Sequence, residues 1–192
     1  MRKIYILFVT GLLSLTLSAQ SQKEIHVGIG TGSIQELEVR NGTHPLFKLA
    51  SGSGEPIKRT YSPAGPIRIG INSHENRRFL LGAEFNYINT EVMNDYGTGS
   101  NEFINFANYS LMASTQYKYF DKPKYTMYSG VQFGVSFSAV KNQNNGKKDQ
   151  DLTGAFQVNF LGVRYGTKLG VFGEIGYGFN GFLSGGLFYR LD

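Results

Sequence analysis

The chain has no cysteine, few charges and, after its first residues, no long apolar run. Without cysteine there are no disulfides, thiolate metal sites, lipid-modified cysteines or cysteine nucleophiles. Charged residues make up 17% of the 192 residues, below the roughly 25% of an ordinary soluble domain. Nothing beyond the N-terminus approaches the roughly 18 apolar residues of a membrane-crossing helix, so any crossing has to be made by strands. The formal charge of +5 includes Arg2 and Lys3. The remainder is thin and scattered, which argues against a nucleic-acid partner.

Glycine, tyrosine and phenylalanine are plentiful instead, at 25, 12 and 15 residues. That mixture favours an all-β chain. The clearest stretch runs from Asn105 to Val140, two alternating segments folded back at Asp121-Lys122-Pro123-Lys124. In the first, Ala107, Tyr109, Leu111, Ala113, Tyr117 and Tyr119 share one face. In the second, Tyr125, Met127, Val131, Phe133, Val135 and Phe137 do so. Faces that swap at every residue mean strand. Strands of soluble domains stop at about 5 or 6 residues, whereas a tilted bilayer-spanning strand needs about 9 to 11. The polar face carries Asn, Ser, Gln, Thr and Gly with one lysine, which suits a packed, hydrogen-bonded interior rather than water. Tyr117, Tyr119 and Tyr125 lie beside the turn, where an embedded barrel places an aromatic girdle.

In chain order, a positive start, the apolar run Ile4 to Leu17 and the small residues before Gln22 have the form of an export signal over 1–21, leaving 22–192 as one barrel domain. Eight strands follow: Glu24 to Gly32, Pro66 to Asn72, one from Phe79, the two of the opening hairpin, Gly154 to Tyr165, one from Leu169, and one after Asn180-Gly181. The phase change between Phe160 and Leu161 calls for a bulge near 160–162. Ser33 to Ser62 reads as a long irregular loop, opened by Ser33 and Glu36 at capping-box spacing that suits a short helix, while Leu37 and Val39 suit a strand equally. Glu91 to Glu102 and Lys141 to Asp151 read as further loops. Long and short connections alternate, as in barrels that keep short turns on the periplasmic side. Only the Asn180-Gly181 hairpin is short for an outer connection.

Leu161-Gly162-Val163-Arg164-Tyr165, then Val171 to Gly178, then Gly186-Leu187-Phe188-Tyr189-Arg190-Leu191 resemble the closing strands of the eight-stranded outer-membrane β-barrel family, which includes the OmpA transmembrane domain and the OmpX-like barrels. The resemblance covers the mature chain at the level of pattern. It implies an eight-stranded antiparallel up-and-down transmembrane β-barrel with a filled polar interior, placed in the Gram-negative outer membrane as a monomer. Its implied partners are outer-membrane lipid and the barrel-insertion machinery. Where family members finish on phenylalanine, this chain finishes Leu191-Asp192.

An interior of this size is filled by side chains, which argues against a porin. The charges expected inside are Glu84, Lys118, Arg164, Glu174 and Arg190, and buried charges persist only when paired. Glu174 is expected to pair with Arg164 or Arg190. His26, His44 and His74 lack metal-ligand spacing and read as incidental. Gly28-Ile29-Gly30-Thr31-Gly32 ends no βαβ unit and lacks the lysine of a phosphate loop, so no cofactor is expected. Three functions remain open. The first is a non-enzymatic barrel with its specificity in the outer loops, above all Leu46, Phe47, Lys48, Lys58 and Arg59, which would meet an extracellular protein or surface. The second is a lipid-modifying barrel enzyme, which needs groups such as His26 and Ser136 to converge. The third is a soluble secreted barrel that binds a ligand. In the first reading, the loop's apolar residues serve equally well as a plug over the mouth or as extensions of the first two strands.

Overall fold

The alternation becomes eight strands and one short helix: β1 (Lys23–Thr31), α1 (Ile34–Arg40), β2 (Lys58–Ser73), β3 (Phe79–Asp95), β4 (Asn101–Lys122), β5 (Tyr125–Asn142), β6 (Lys148–Gly166), β7 (Leu169–Gly178) and β8 (Leu183–Leu191). This computed structural model describes residues 22–46, 58–74, 78–97, 101–144 and 146–191. The expected export signal at 1–21 and the loop residues Phe47 and Lys48 lie outside them. Every strand pairs antiparallel with its neighbour, and β8 returns to β1 from Lys23↔Leu191 to Thr31↔Leu183. The result is a closed all-β, up-and-down barrel with no sheet edge along its shared height.

The wall sorts side chains by the pleat. Ile25, Val27 and Ile29 of β1, Ile67, Ile69 and Ile71 of β2, and Leu183 and Leu187 of β8 all point outward and stay exposed. Between them and on the other strands, the outward positions form a continuous apolar belt. Rings bound it on two levels: Phe79 with Tyr117 and Phe120 with Tyr125 at the turn end, Tyr87 with Tyr109 and Tyr177 with Phe182 above. On β4 the levels are marked by Tyr117 and Tyr109. That interval is about 27 Å along the strand, or roughly 20 Å in height at a tilt near 40°. The belt matches a hydrocarbon layer.

The inward face is polar and narrow. Gly162 and Gly28 show why glycine is needed there. A Cβ on Gly162 would fall within the Tyr128 ring, and one on Gly28 would come 2.9 Å from the Phe172 ring and 3.3 Å from Arg68. Large side chains are seated over the bare backbone of nearby strands, Tyr128 and Arg68 over their own ladder partners Gly162 and Gly28. The bulge expected near 160–162 is present, as a register shift between Asn159 and Leu161 against β7. Phe160 thereby joins the belt at 62% exposure.

Strand lengths are unequal, and this corrects the loop boundaries expected from sequence. β1, β7 and β8 have 9, 10 and 9 residues, enough for one crossing, but β2 to β6 have 16 to 22. Lys58 to Ala64 belongs to β2, paired with Asp95 to Asn89 of β3. Glu91 to Asp95, Asn101, Glu102 and Lys148 to Asp151 are likewise strand. Polar composition suggested loops there because the outer face of these segments stands above the belt, in water, and only inward residues such as Val92 are apolar.

Gly162→Val tests the seating of Tyr128. The ring has to leave its place, and overpacking of this kind costs about 1–3 kcal/mol. A lower urea midpoint of the folded, heat-modifiable form is expected, and an unchanged midpoint would show that the ring has room to move.

Candidate functional site

The lumen is built around Arg68 on β2, whose side chain is 1% exposed. Its Nε and Nη2 donate to Glu84 Oε2 of β3, and its Nη1 donates to Glu174 Oε2 of β7 and to Ser184 Oγ of β8. Two carboxylates against one guanidinium leave an excess negative charge, and neutral donors absorb it. The Tyr128 hydroxyl donates to Glu174 Oε1 at 2.6 Å. Asn180 Nδ2 donates to Glu84 Oε1 at 2.7 Å. His26 Nε2 lies 2.8 Å from Glu84 Oε2, while the Asn72 amide donates to His26 Nδ1. With the Asn72 amide on Nδ1, Nε2 is the nitrogen that donates to Glu84.

Asn180 explains the short last hairpin. The turn between β7 and β8 folds into the lumen rather than standing above it, with Asn180 fully buried. Its backbone N–H donates to Gln157 Oε1, its side-chain amide also reaches Gln132, and Asn86 donates to its Oδ1. The turn is the roof of the ionic core.

A second charged cluster occupies the mouth at the turn end. Glu24, 0% exposed, is approached by Arg190 Nε at 3.2 Å, Arg164 Nε at 3.4 Å and His74 Nε2 at 3.8 Å. Lys118 donates to Asp121 at 2.8 Å. The single network expected from sequence is therefore two. Glu84 and Glu174 belong to the centre, and Arg164, Arg190 and Lys118 belong to the mouth. Glu174 pairs with Arg68, not with Arg164 or Arg190, because the tilt of the strands sets Arg164 and Arg190 nearer the mouth. Arg68, Glu24 and His26 were missed, although the alternation of β1 and β2 puts all three on the inward face. His26 is a member of the core rather than incidental.

Above the roof the interior turns apolar. Val92 of β3, Ile104 and Phe106 of β4 and Val140 of β5 form a buried cluster with Val39 of α1 and Leu46, against which Tyr61 packs. The described part of the first connection, residues 32–46, packs down against the inner face of the projecting wall. The helix choice at Ser33 is settled by its capping box: Ser33 accepts from the Glu36 N–H and the Glu36 carboxylate accepts from the Ser33 N–H. Of the expected contact residues, Leu46 is buried, Arg59 donates to Asn94, and Lys58 is exposed. His44 stacks edge-on against Phe106 with ring centroids 4.6 Å apart.

No catalytic constellation is present among the described residues. His26 is committed to Glu84 and Asn72, while Ser136 accepts from Asn108, so the pair required by a lipid-acting enzyme does not meet. No cluster among the described residues has the make-up of a metal site.

A closed eight-stranded antiparallel barrel with a polar, ion-paired interior and an apolar outer belt defines the transmembrane β-barrel class. Two solved structures similar to it are those of Ail, the attachment invasion locus protein of Yersinia pestis, and of Ail in complex with the heparin analogue sucrose octasulfate. Both are 9% identical in sequence, with TM-scores of 0.42 and 0.45, over 89% of this chain and 97% of theirs. No protein-family model and no curated protein sequence matches the chain.

Two outcomes follow. Arg68→Met leaves two buried carboxylates without their cation and is expected to lower unfolding stability by about 3–5 kcal/mol. Adding Glu84→Gln and Glu174→Gln recovers part of the loss, and no recovery would mean that shape rather than charge matters there. Separately, burial lowers the His44 pKa from its ordinary 6.5, with Asp151 opposing in part. The docked loop then holds fewer protons than the free one, so docking is favoured above pH 6.5 and weakens as pH falls below it. Burial raises the Glu38 carboxyl from 4.5, which acts oppositely at lower pH. The reading belongs between pH 7 and 6. Spin labels on Arg40→Cys and Glu91→Cys should separate over that range, and His44→Leu should abolish the change.

Proposed function

We infer that the protein is a non-enzymatic outer-membrane barrel that works by contact at the cell surface, through the part of its wall that rises above the membrane. The carrying observation is the inequality of the strands. β6 continues from Lys148 to Phe156 before β7 begins to pair at Gln157↔Gly178, a projection of roughly 30 Å along the strand. Among the described residues, Lys148 to Ala155 have β5 alone as a ladder partner. An edge of this kind presents backbone groups without a ladder partner, the Gln150 and Leu152 N–H groups being held locally by the Asp149 and Asp151 carboxylates, and it is a template on which an extended segment of another chain adds as a further strand. Leu152, 67% exposed, gives that edge an apolar anchor.

The projection is braced for such a role. Glu102 at the tip of β4 accepts from Asn142 of β5, Asn94 of β3 and the Tyr96 hydroxyl, so three strands are tied where solvent would fray them. In this reading residues 1–21 direct export, the short turns and both ends of the mature chain face the periplasm, and the wall and first connection face outward. The filled lumen leaves transport without a route. The buried position of Leu46 favours the loop as a plug, with contact made by the wall instead.

The test carries Leu152→Lys and Gly154→Pro, which charge the β6 edge and take a backbone N–H from it while leaving β5 paired with β4. The variant is expected to remain in the outer-membrane fraction as a heat-modifiable barrel while its host cells lose attachment to matrix or cell-surface protein. Unchanged attachment would move the contact to the first connection. Recovery of the parent protein as a soluble periplasmic species would overturn the reading as a whole.

A further inference from the structure

The two ends of the barrel differ in charge. At the turn end, Lys23 and Lys124 stand at the rim, and Lys118, Lys122, Arg164 and Arg190 line or underlie the mouth. Against these six cations the described residues of that end supply two carboxylates, Glu24 and Asp121. Both are engaged, Glu24 with Arg164 and Arg190 and Asp121 with Lys118. At the opposite end acidic and basic residues are close to balance. Nothing in the central core needs this excess, because Arg68 there is already outnumbered by carboxylates.

The excess surrounds a cavity of about 390 Å³, open to solvent and lined by Gln22, His74, Lys118, Asp121, Lys122 and Arg190. The donors come from four separate places: the approach to β1, the end of β2, the β4–β5 turn and β8. Arg190 uses Nε on Glu24 and lays its guanidinium against the Phe188 ring, and its Nη groups have no hydrogen bond among the described residues. Lys122 is exposed and has only a distant ring contact with Phe120, at 6.0 Å. His74 Nε2 makes no hydrogen bond. Beneath them Arg164, 3% exposed, faces Glu24 at 3.4 Å, and its Nε and Nη1 make no hydrogen bond. Lys118 is held by Asp121, which leaves Lys122 and Arg190 as the leading donors.

We propose that this cup binds a phosphate group. A planar carboxylate offers two oxygens in one plane, whereas donors converging from a turn, a strand and the floor suit the tetrahedral oxygens and second negative charge of a phosphate. Charge-assisted bonds of this type are the strong ones. The cup exceeds the size of the bare anion and has room for a small substituent, so the ligand class is inorganic phosphate or a phosphate monoester. The same chemistry is offered by a free solute and by the headgroup of an anionic phospholipid in the adjoining leaflet.

The experiment uses the full mature chain folded in octyl glucoside, with three probes followed by phosphorus NMR: inorganic phosphate, glycerol 3-phosphate and monomeric dihexanoyl phosphatidic acid. Chloride holds the ionic strength constant. A saturable shift or broadening is expected, weakened about tenfold in Lys122→Ala and in Arg190→Gln. Lys122 is exposed on a turn, so its variant keeps the barrel, and it carries the test alone if Arg190→Gln misfolds. Binding of the two soluble probes identifies a free phosphate, and binding of phosphatidic acid alone identifies the headgroup. Either supports the site. No saturable change with any probe, or a change that both variants retain, overturns it.

Discussion

One buried guanidinium governs this molecule. Arg68 reaches across the lumen from β2 to join β3, β7 and β8, and its two carboxylate partners draw in Tyr128, His26, Ser184 and Asn180. A charge removed from water is stable only when its geometry and remaining hydrogen bonds are complete. The lumen meets that requirement, with neutral donors balancing the second carboxylate. The glycine-lined stretches of wall follow from it, since so many large polar groups in an eight-stranded interior need bare backbone opposite them. The inward fold of the last hairpin follows too, because Glu84 needs the Asn180 amide as its fourth donor.

The core also binds regions far apart in the chain. Arg68 and Glu174 are separated by 106 positions, and Asn180 and Glu84 by 96. None of these contacts forms within a hairpin. Glu84 meets Arg68 within the β2–β3 pair, but until β8 meets β1, Glu174 has no route to Arg68, and a partly closed sheet holds its charge facing inward without a cation. Closure and neutralisation are therefore one event, which favours a two-state barrel over a graded one.

Much of this was legible in the sequence, and the limits have physical causes. Alternation over Asn105 to Val140 gives strand, face and turn together, because a period of two has one structural meaning. The phase slip at Phe160 gives the bulge for the same reason. Pairing inside the lumen was not legible: alternation says that Glu174 points inward but not how high it sits, and height depends on tilt and register around the whole circle. Arg68 was hidden by its setting between isoleucines on a short segment. The projecting wall was read as loop because its outer face meets solvent and is polar, which masks the alternation carried by inward Val92 and Ile104. Leu46 was read as a contact group because a buried lid and an exposed patch share the same composition.

Unequal strands have a geometric consequence. A barrel with strands of one length looks the same from every direction in the plane of the bilayer, and rotation about the normal changes nothing for a neighbour. Here β7, β8 and β1 stop low while β2 to β6 rise behind them, like a chair with a seat and a back. The folded first connection rests on the seat side against the inner surface of the back. The protein thus has a heading within the membrane: what approaches from the low side meets the lid and the concave surface, and what approaches from the high side meets only the outer surface of a sheet.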